Sequence, residues 1–194
     1  IRVLEDEDAK KFLPPKPLNY IIDPDKPITI GAGNNPEYYF EFKRQQEDAL
    51  GKAFKAVLET TQRFRRISGR KYGILDIYGL EDADVAIIGL GSCMGTVTEA
   101  ARALRRKGEK VGAIKLWLYR PFPEREILKA LEGLKSLVVV DRSCSFGAPN
   151  GALCSDILST VHDANPKLKI SNVVCGLGGR DITVPMMEST YKRA

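Results

Sequence analysis

Apolar positions along the chain first follow a helical period. Phe42, Leu50, Phe54, Val57, Leu58, Thr61 and Phe64 recur at helical spacing as far as Ile67-Ser-Gly69. Asn35-Pro36 ahead of them supplies an N-cap and a first-turn proline. The spacing predicts one helix of about 30 residues, about 45 Å long at the standard rise. The acid-first pairs Asp48–Lys52 and Glu59–Arg63 are expected to support it. Such a helix exceeds the width of a small domain, so one end is expected to pack on something outside this sequence.

From Ala83 the pattern becomes strand alternating with helix. Val85–Leu90 reads as a buried strand, and Thr96–Arg106 as a helix with Val97, Ala100, Ala101 and Leu104 inward. Val111–Leu118 is the next strand, and a short helix carrying Ile127, Leu128 and Leu131 follows Pro121-Phe-Pro123. Leu137–Val140 is a third strand, running into the loop Asp141–Asn150. The next helix buries Leu153, Ile157, Leu158 and Val161. Lys169–Cys175 is the last strand, ended by Gly176-Leu-Gly-Gly179. Short links between alternating elements imply an α/β fold, a mostly parallel open sheet with helices on both faces.

Six of the eleven prolines lie within the first 36 residues, among them those of Leu13-Pro-Pro-Lys-Pro17, Asp23-Pro24 and Lys26-Pro27. Proline refuses helix interiors, so this stretch is expected to be extended. Three parts follow: a Pro-rich arm (1–35), a long linking helix with its connector (36–82), and the α/β domain (83–194). The chain starts at Ile1 in a charged tract, which reads as a piece of a longer or processed polypeptide.

Charge narrows the partners. The net charge is +5, but acids are interleaved with bases, as in Glu5–Lys11 and Glu99–Lys110. Solvated faces explain this better than a nucleic-acid footprint. No apolar stretch reaches the length of a membrane helix. The cysteines Cys93, Cys144, Cys154 and Cys175 form no CxxC or CxxH pair, so neither a zinc knuckle nor a ferredoxin-type cluster is expected from them. Reduced, mostly buried thiols in a cytoplasmic protein are the expectation.

Four loops carry the candidate chemistry. Gly89-Leu-Gly-Ser-Cys-Met-Gly95 closes a buried strand and opens a helix, a unit that can hold an anion. Its G-x-G-x-x-x-G spacing is not the dinucleotide fingerprint, and the second strand ends Leu118-Tyr-Arg120 with no acid for a ribose. Arg120 could serve a 2′-phosphate, which leaves an NADP-binding module as one alternative. In Arg120-Pro-Phe-Pro123, either Arg120 binds an external carboxylate, phosphate or subunit, or it pairs with a local acid while Phe122 plugs the core. Asp141-Arg-Ser-Cys-Ser-Phe-Gly-Ala-Pro-Asn-Gly151 suits close approach to another backbone. Ser143 or Cys144 as nucleophile would need a base, and the single histidine, His162, sits at the end of the following helix. Gly176-Leu-Gly-Gly-Arg-Asp181 is an anion nest or a flexible turn. A non-enzymatic adaptor is also compatible with these residues.

Taken in order, these loops resemble the second domain of the α subunit of 2-oxoacid:ferredoxin oxidoreductases of the pyruvate synthase type, a domain similar to the C-terminal domain of transketolases. The matching stretches are Pro36-Glu-Tyr-Tyr-Phe-Glu-Phe42, Gly69-Arg-Lys-Tyr-Gly73, Glu81-Asp-Ala-Asp84 leading into Gly91-Ser92, Gly95-Thr96, Arg120-Pro-Phe-Pro123, Asp141-Arg142 with Phe146-Gly147, and Gly176–Asp181. The resemblance implies an enzyme that oxidatively decarboxylates pyruvate or a related 2-oxoacid on thiamine diphosphate and Mg²⁺. It implies electron transfer through [4Fe-4S] clusters to ferredoxin, and formation of an acyl-CoA. It also implies that the cofactors sit on other domains or subunits, and that the arm and helix lead from a thiamine-binding domain not contained here. The rim residues it points to, as contacts with other subunits, are Gly91, Ser92, Gly95, Thr96, Arg120, Asp141 and Arg142.

Overall fold

The structure is a computed structural model and describes residues 3–13, 15–18, 20–31 and 33–194. Pro14 of the Pro-rich tract and the start at Ile1 lie outside the described residues. The chain divides into two compact units, Ile1–Tyr72 and Gly73–Ala194.

In the first unit, the Pro-rich arm is not extended throughout. Asp6–Phe12 forms a helix, α1, with three acids in its first turn and Lys10 and Lys11 in its last, a charge order that favours the helix dipole. Pro36–Ser68 forms α2, 33 residues long, with Pro36 at its start and Gly69 in the left-handed conformation at its end. Phe12 packs edge-on against Phe64 with ring centroids 5.3 Å apart, and Arg63 caps the Phe12 carbonyl at 3.3 Å. The expected acid-first pairs do not form. Asp48 instead meets Arg44 at 3.3 Å and Glu59 meets Lys55 at 3.8 Å, each one turn back.

The second unit is a five-stranded sheet in the order β1-β3-β2-β4-β5, from Leu75–Tyr78, Val85–Leu90, Val111–Leu116, Ser136–Asp141 and Lys169–Val174. β2, β3, β4 and β5 are parallel, as the alternation of elements requires, and β1 is antiparallel to β3. β1 falls in the segment expected to be a connector. β3 stops at Leu116, two residues before the expected end, because the Trp117 and Leu118 N–H groups both turn to the Ile74 carbonyl (2.9 and 3.2 Å).

Helices α3 (Cys93–Arg105), α4 (Glu124–Ala130), α5 (Ala152–Val161) and α6 (Val184–Lys192) cover both faces. Even-numbered positions of β2, Ala86 and Ile88, join Ile114, Leu116, Leu137 and Val139 under α4 and α5. Ile87, Ala113, Val138 and Val140 face Met94, Val97 and Leu104 of α3, with Met187 and Tyr191 of α6. Alternation in the strands thus produces two separate apolar layers. Tyr191 closes the second by donating its hydroxyl to the Gly112 carbonyl at 2.8 Å. Burial holds that phenol protonated far above its usual range.

Candidate functional site

β2 feeds α3 on one face, whereas β4, its neighbour in the sheet, feeds α5 on the other. Such divergence opens a crevice at the carboxyl ends of the strands, where open α/β sheets place ligands and partners. The crevice here is a cleft of about 200 Å³ lined by Leu90, Tyr119, Val140, Asp141, Arg142, Ser143, Ala152 and Leu153. It brings Asp141 and Arg142 together with the end of β2 just before Gly91.

Asp141 is only 4% exposed, and its carboxylate is fully engaged. It accepts from the N–H groups of Leu153 (2.9 Å) and Cys154 (3.2 Å) at the start of α5, and from Asn172 Nδ2 (2.8 Å). Asn172 in turn accepts from the Gly151 N–H at 2.8 Å and donates to the Val139 carbonyl at 3.0 Å. Strands β4 and β5 thereby supply the acceptors that the first turn of α5 lacks. Asp141 and Asn172 fasten the helix to the sheet, and that helix N-terminus has little left to offer an anion. Asn172 was not singled out from the sequence; a lone amide among β-branched neighbours, Ser171-Asn-Val-Val174, was the available signal.

Arg120 follows Tyr119, which lines the cleft, and precedes a cis Arg120–Pro121 peptide. Its guanidinium pairs with Asp156 of α5 at 2.8 Å and stacks 4.1 Å from the Tyr119 ring. Tyr119 donates to the same carboxylate at 2.6 Å and meets Phe122 edge-on at 5.9 Å, while Phe122 packs on the core beneath α4 and α5. The Asp156 carboxylate holds the guanidinium charged, and burial followed by this hydrogen bond pushes the Tyr119 phenol up. Of the two readings of Arg120, the local pair with a plugging Phe122 is the one the geometry displays.

The glycine turn is divided between surroundings. Gly91 takes φ +74° and, with Ser92 and Gly95, is exposed, while Thr96 is half-buried. Ser92 makes no side-chain cap bond; its carbonyl accepts from the Gly95 N–H at 3.0 Å. Gly95 lines a different small cleft, with Asp76, Tyr78, Thr98, Arg102 and Lys115. Gly89 has a packing reason to be glycine: a Cβ there would stand 2.7 Å from Met94 Sδ. The NADP alternative therefore loses its support. The first glycine lets α3 close on β2, and Arg120 is committed to α5, across the sheet from α3.

The cysteines are scattered. Cys93 in α3, Cys154 in α5 and Cys175 just past β5 are buried, Cys144 is exposed, and all four are free thiols. Burial raises the three inner thiols, Cys154 to about 11 with help from the Asp141 carboxylate. Among the described residues, no three His, Cys, Asp or Glu side chains gather as a metal site would require. These residues do not fit an iron–sulfur cluster. They do not fit an Mg²⁺–diphosphate site either, because Asp141 is spent on α5. Among the described residues, no helix is long and apolar enough to cross a membrane. His162 is exposed beside Asp163, 3.7 Å away, at the end of α5.

The result is an open α/β domain whose polar side chains at the cleft mostly hold its own helices and loops in place. The chain belongs to the pyruvate:ferredoxin oxidoreductase core domain II family, whose model matches residues 83–187. It is 36% identical to pyruvate synthase subunit PorA of Methanosarcina barkeri, over 99% of this chain and 49% of the relative. It is 37% identical to the PorA subunit of Thermotoga maritima, over 97% of this chain and 48% of that one. It is also 37% identical to ketoisovalerate oxidoreductase subunit VorA of Pyrococcus abyssi, over 95% of this chain and 47% of the relative. The chain thus spans about half the length of the curated relatives it matches.

Proposed function

We propose that the chain is part of the α subunit of a thiamine-diphosphate-dependent 2-oxoacid:ferredoxin oxidoreductase that acts on pyruvate or a related 2-oxoacid and forms the acyl-CoA. The observation that carries this reading is the match of nearly the whole chain, at 36% identity, to a pyruvate synthase subunit. In it, residues 83–194 are the assembly domain, and the arm (1–35) and helix with connector (36–82) lead to the thiamine-binding domain. Thiamine diphosphate, Mg²⁺ and [4Fe-4S] clusters belong to other domains or subunits, and no chemical step is assigned to this chain. Gly91, Ser92, Gly95, Thr96, Arg120, Asp141 and Arg142 form or support the rim that faces those partners, with ferredoxin and CoA reached through the complex. The buried thiols suit a reducing, cytoplasmic setting.

The test is affinity capture of the chain from its native host without oxygen, followed by native mass spectrometry and assay. A brown, thiamine-diphosphate-containing assembly that reduces ferredoxin with pyruvate and CoA is the expected result. A colourless, stable monomer with an activity of its own overturns the reading.

A further inference from the structure

β5 is an open edge of the sheet. β4 is its one neighbour there, and the two run parallel in unbroken register from Ser136↔Lys169 to Asp141↔Val174. The N–H groups of Lys169 and of Cys175, just past the strand, donate to the Lys135 and Asp141 carbonyls at 3.2 and 3.0 Å. Backbone groups alternate in direction along a strand, so Ile170, Asn172 and Val174 turn their N–H and carbonyl groups away from β4. Neither a proline nor a bulge interrupts them. Such a ladder pairs with a strand that meets it, unless charge or shape keeps that strand away.

The same strand walls a groove. α6 lies against α3 and β2. Beside it, a cleft of about 510 Å³ is lined by Val138, Ser171 and Val173 of the sheet, with Met186, Ser189 and Arg193 of α6 and its end. The charge around β5 has one sign. Lys167, Lys169 and Arg193 are exposed and make no ion pair among the described residues. No acid occurs from Pro166 to Gly176, and Glu188, the acid of α6, is paired with Lys107 at 3.7 Å.

Groove and ladder together select the occupant. A small molecule would fill the groove and leave the ladder unmet. A helix could cover the groove, but its own backbone is bonded internally and cannot reach the ladder. A second copy of β5 would bring the same cations to the edge. An extended chain meets both features, since its backbone pairs with the edge while alternate side chains enter the groove. We propose that β5 takes an extended, acidic segment of a partner polypeptide as the sixth strand of the sheet. Its apolar side chains lie over Val173 and Met186, and its carboxylates meet Lys169 and Arg193. The inference rests on the reading of the chain as an oxidoreductase subunit, which supplies the partner.

The experiment follows amide hydrogen exchange, residue by residue, in the full-length subunit alone and in the enzyme assembled with its own partner polypeptides. Ile170, Asn172 and Val174 are expected to exchange at least about 100-fold more slowly in the assembly, while Ser171 and Val173, bonded to β4, are slow in both. Val174→Pro removes an outward N–H and is tolerated at an edge, so the free subunit should unfold as the wild type does while association weakens about 10-fold. Lys169→Glu combined with Arg193→Glu should weaken association several-fold at low salt, and less at high salt. Equally fast exchange of the three amides in both states overturns the sixth strand and leaves the assembly reading standing. Association unchanged by the two glutamates overturns the acidic partner. Protection in the free subunit that grows with its own concentration assigns the edge to a second copy and overturns it too. A wild-type subunit that recruits no thiamine or iron–sulfur polypeptide overturns both readings.

Discussion

Asp141 lines the cleft and Arg120 adjoins its lining residue Tyr119, and the two differ in what their removal exposes. Asp141 is buried and satisfies three donors, so Asp141→Ala strands two N–H groups of α5 and the Asn172 amide. We expect a loss of about 3 kcal/mol in denaturant unfolding, near the upper end for orphaned buried donors. The Arg120 side chain is 47% exposed and Asp156 31%, so the pair is screened, and Arg120→Ala should cost no more than about 1 kcal/mol. Equal losses at the two positions would refute this division of labour. The sequence marked Asp141 through its place at a strand end, but a carboxylate at such a place can face a ligand or its own helix. The choice depended on Asn172, 31 residues further on, reaching from β5 to the end of β4. Arg120 likewise waited on Asp156, which only packing of α5 brings near.

The thiols test the same packing through pH. Cys154 holds its proton to about 11 in the folded chain against an ordinary 9.0, because burial, and then Asp141, disfavour the thiolate. Above pH 9 the unfolded chain releases protons that the folded chain retains, so stability present below pH 9 declines toward pH 11. Cys154→Ala should flatten that decline in unfolding curves measured across the interval. At pH 8, iodoacetamide should modify exposed Cys144 first and reach Cys93, Cys154 and Cys175 only on unfolding. Rapid labelling of Cys154 in the native chain would contradict its burial.

Among elements, those built on continuous apolar runs were legible. β2, β4 and the helices between them announced themselves because a parallel strand buried on both faces must be apolar throughout. β1 escaped because Leu75-Asp-Ile-Tyr78 is an edge strand with its middle residues exposed, and so carries no such run. α1 was hidden in a tract whose prolines argued for extension. α6 is short, and only Thr183, which accepts from the Met186 N–H at 3.4 Å, and Pro185 in its first turn marked its start. Yet α6 completes one core layer: Met187 is fully buried, and Tyr191 is 4% exposed. Met187→Ala is therefore expected to cost about 2–4 kcal/mol through the cavity it leaves. Tyr191→Phe, which keeps the ring and removes the bond to Gly112, should cost about 1 kcal/mol. Chemical denaturation of the two variants separates packing from polarity, and a larger loss in Tyr191→Phe than in Met187→Ala would reverse that ranking.

At the scale of the whole chain, the two units differ in how they are held together. Residues 73–194 contain both apolar layers, and every fully buried side chain among the described residues belongs to that unit. In residues 3–72 none of the described side chains is buried, and α2 leaves Tyr38 at 61% and Phe40 at 76% exposure. An amphipathic helix draws most of its stability from the face it buries. Among the described residues of its own unit, the aromatic packing of α2 is with Phe12 of α1 and with Tyr72, both at Phe64 near its end. Local opening should therefore be cheap along α2 and costly in the sheet. Brief trypsin treatment of the isolated chain is expected to cut first within 43–66, where lysine and arginine are frequent, and to spare a fragment containing residues 73–194. If the proposed assembly forms, the same sites should be protected in it, with the exposed aromatic start of α2 covered by the other parts of the enzyme. Mass spectrometry of the limit digests, compared between the isolated chain and the assembly, decides it. Protection of α2 in the isolated chain would mean that the helix needs no partner, and the assembly role assigned to it would have to be withdrawn.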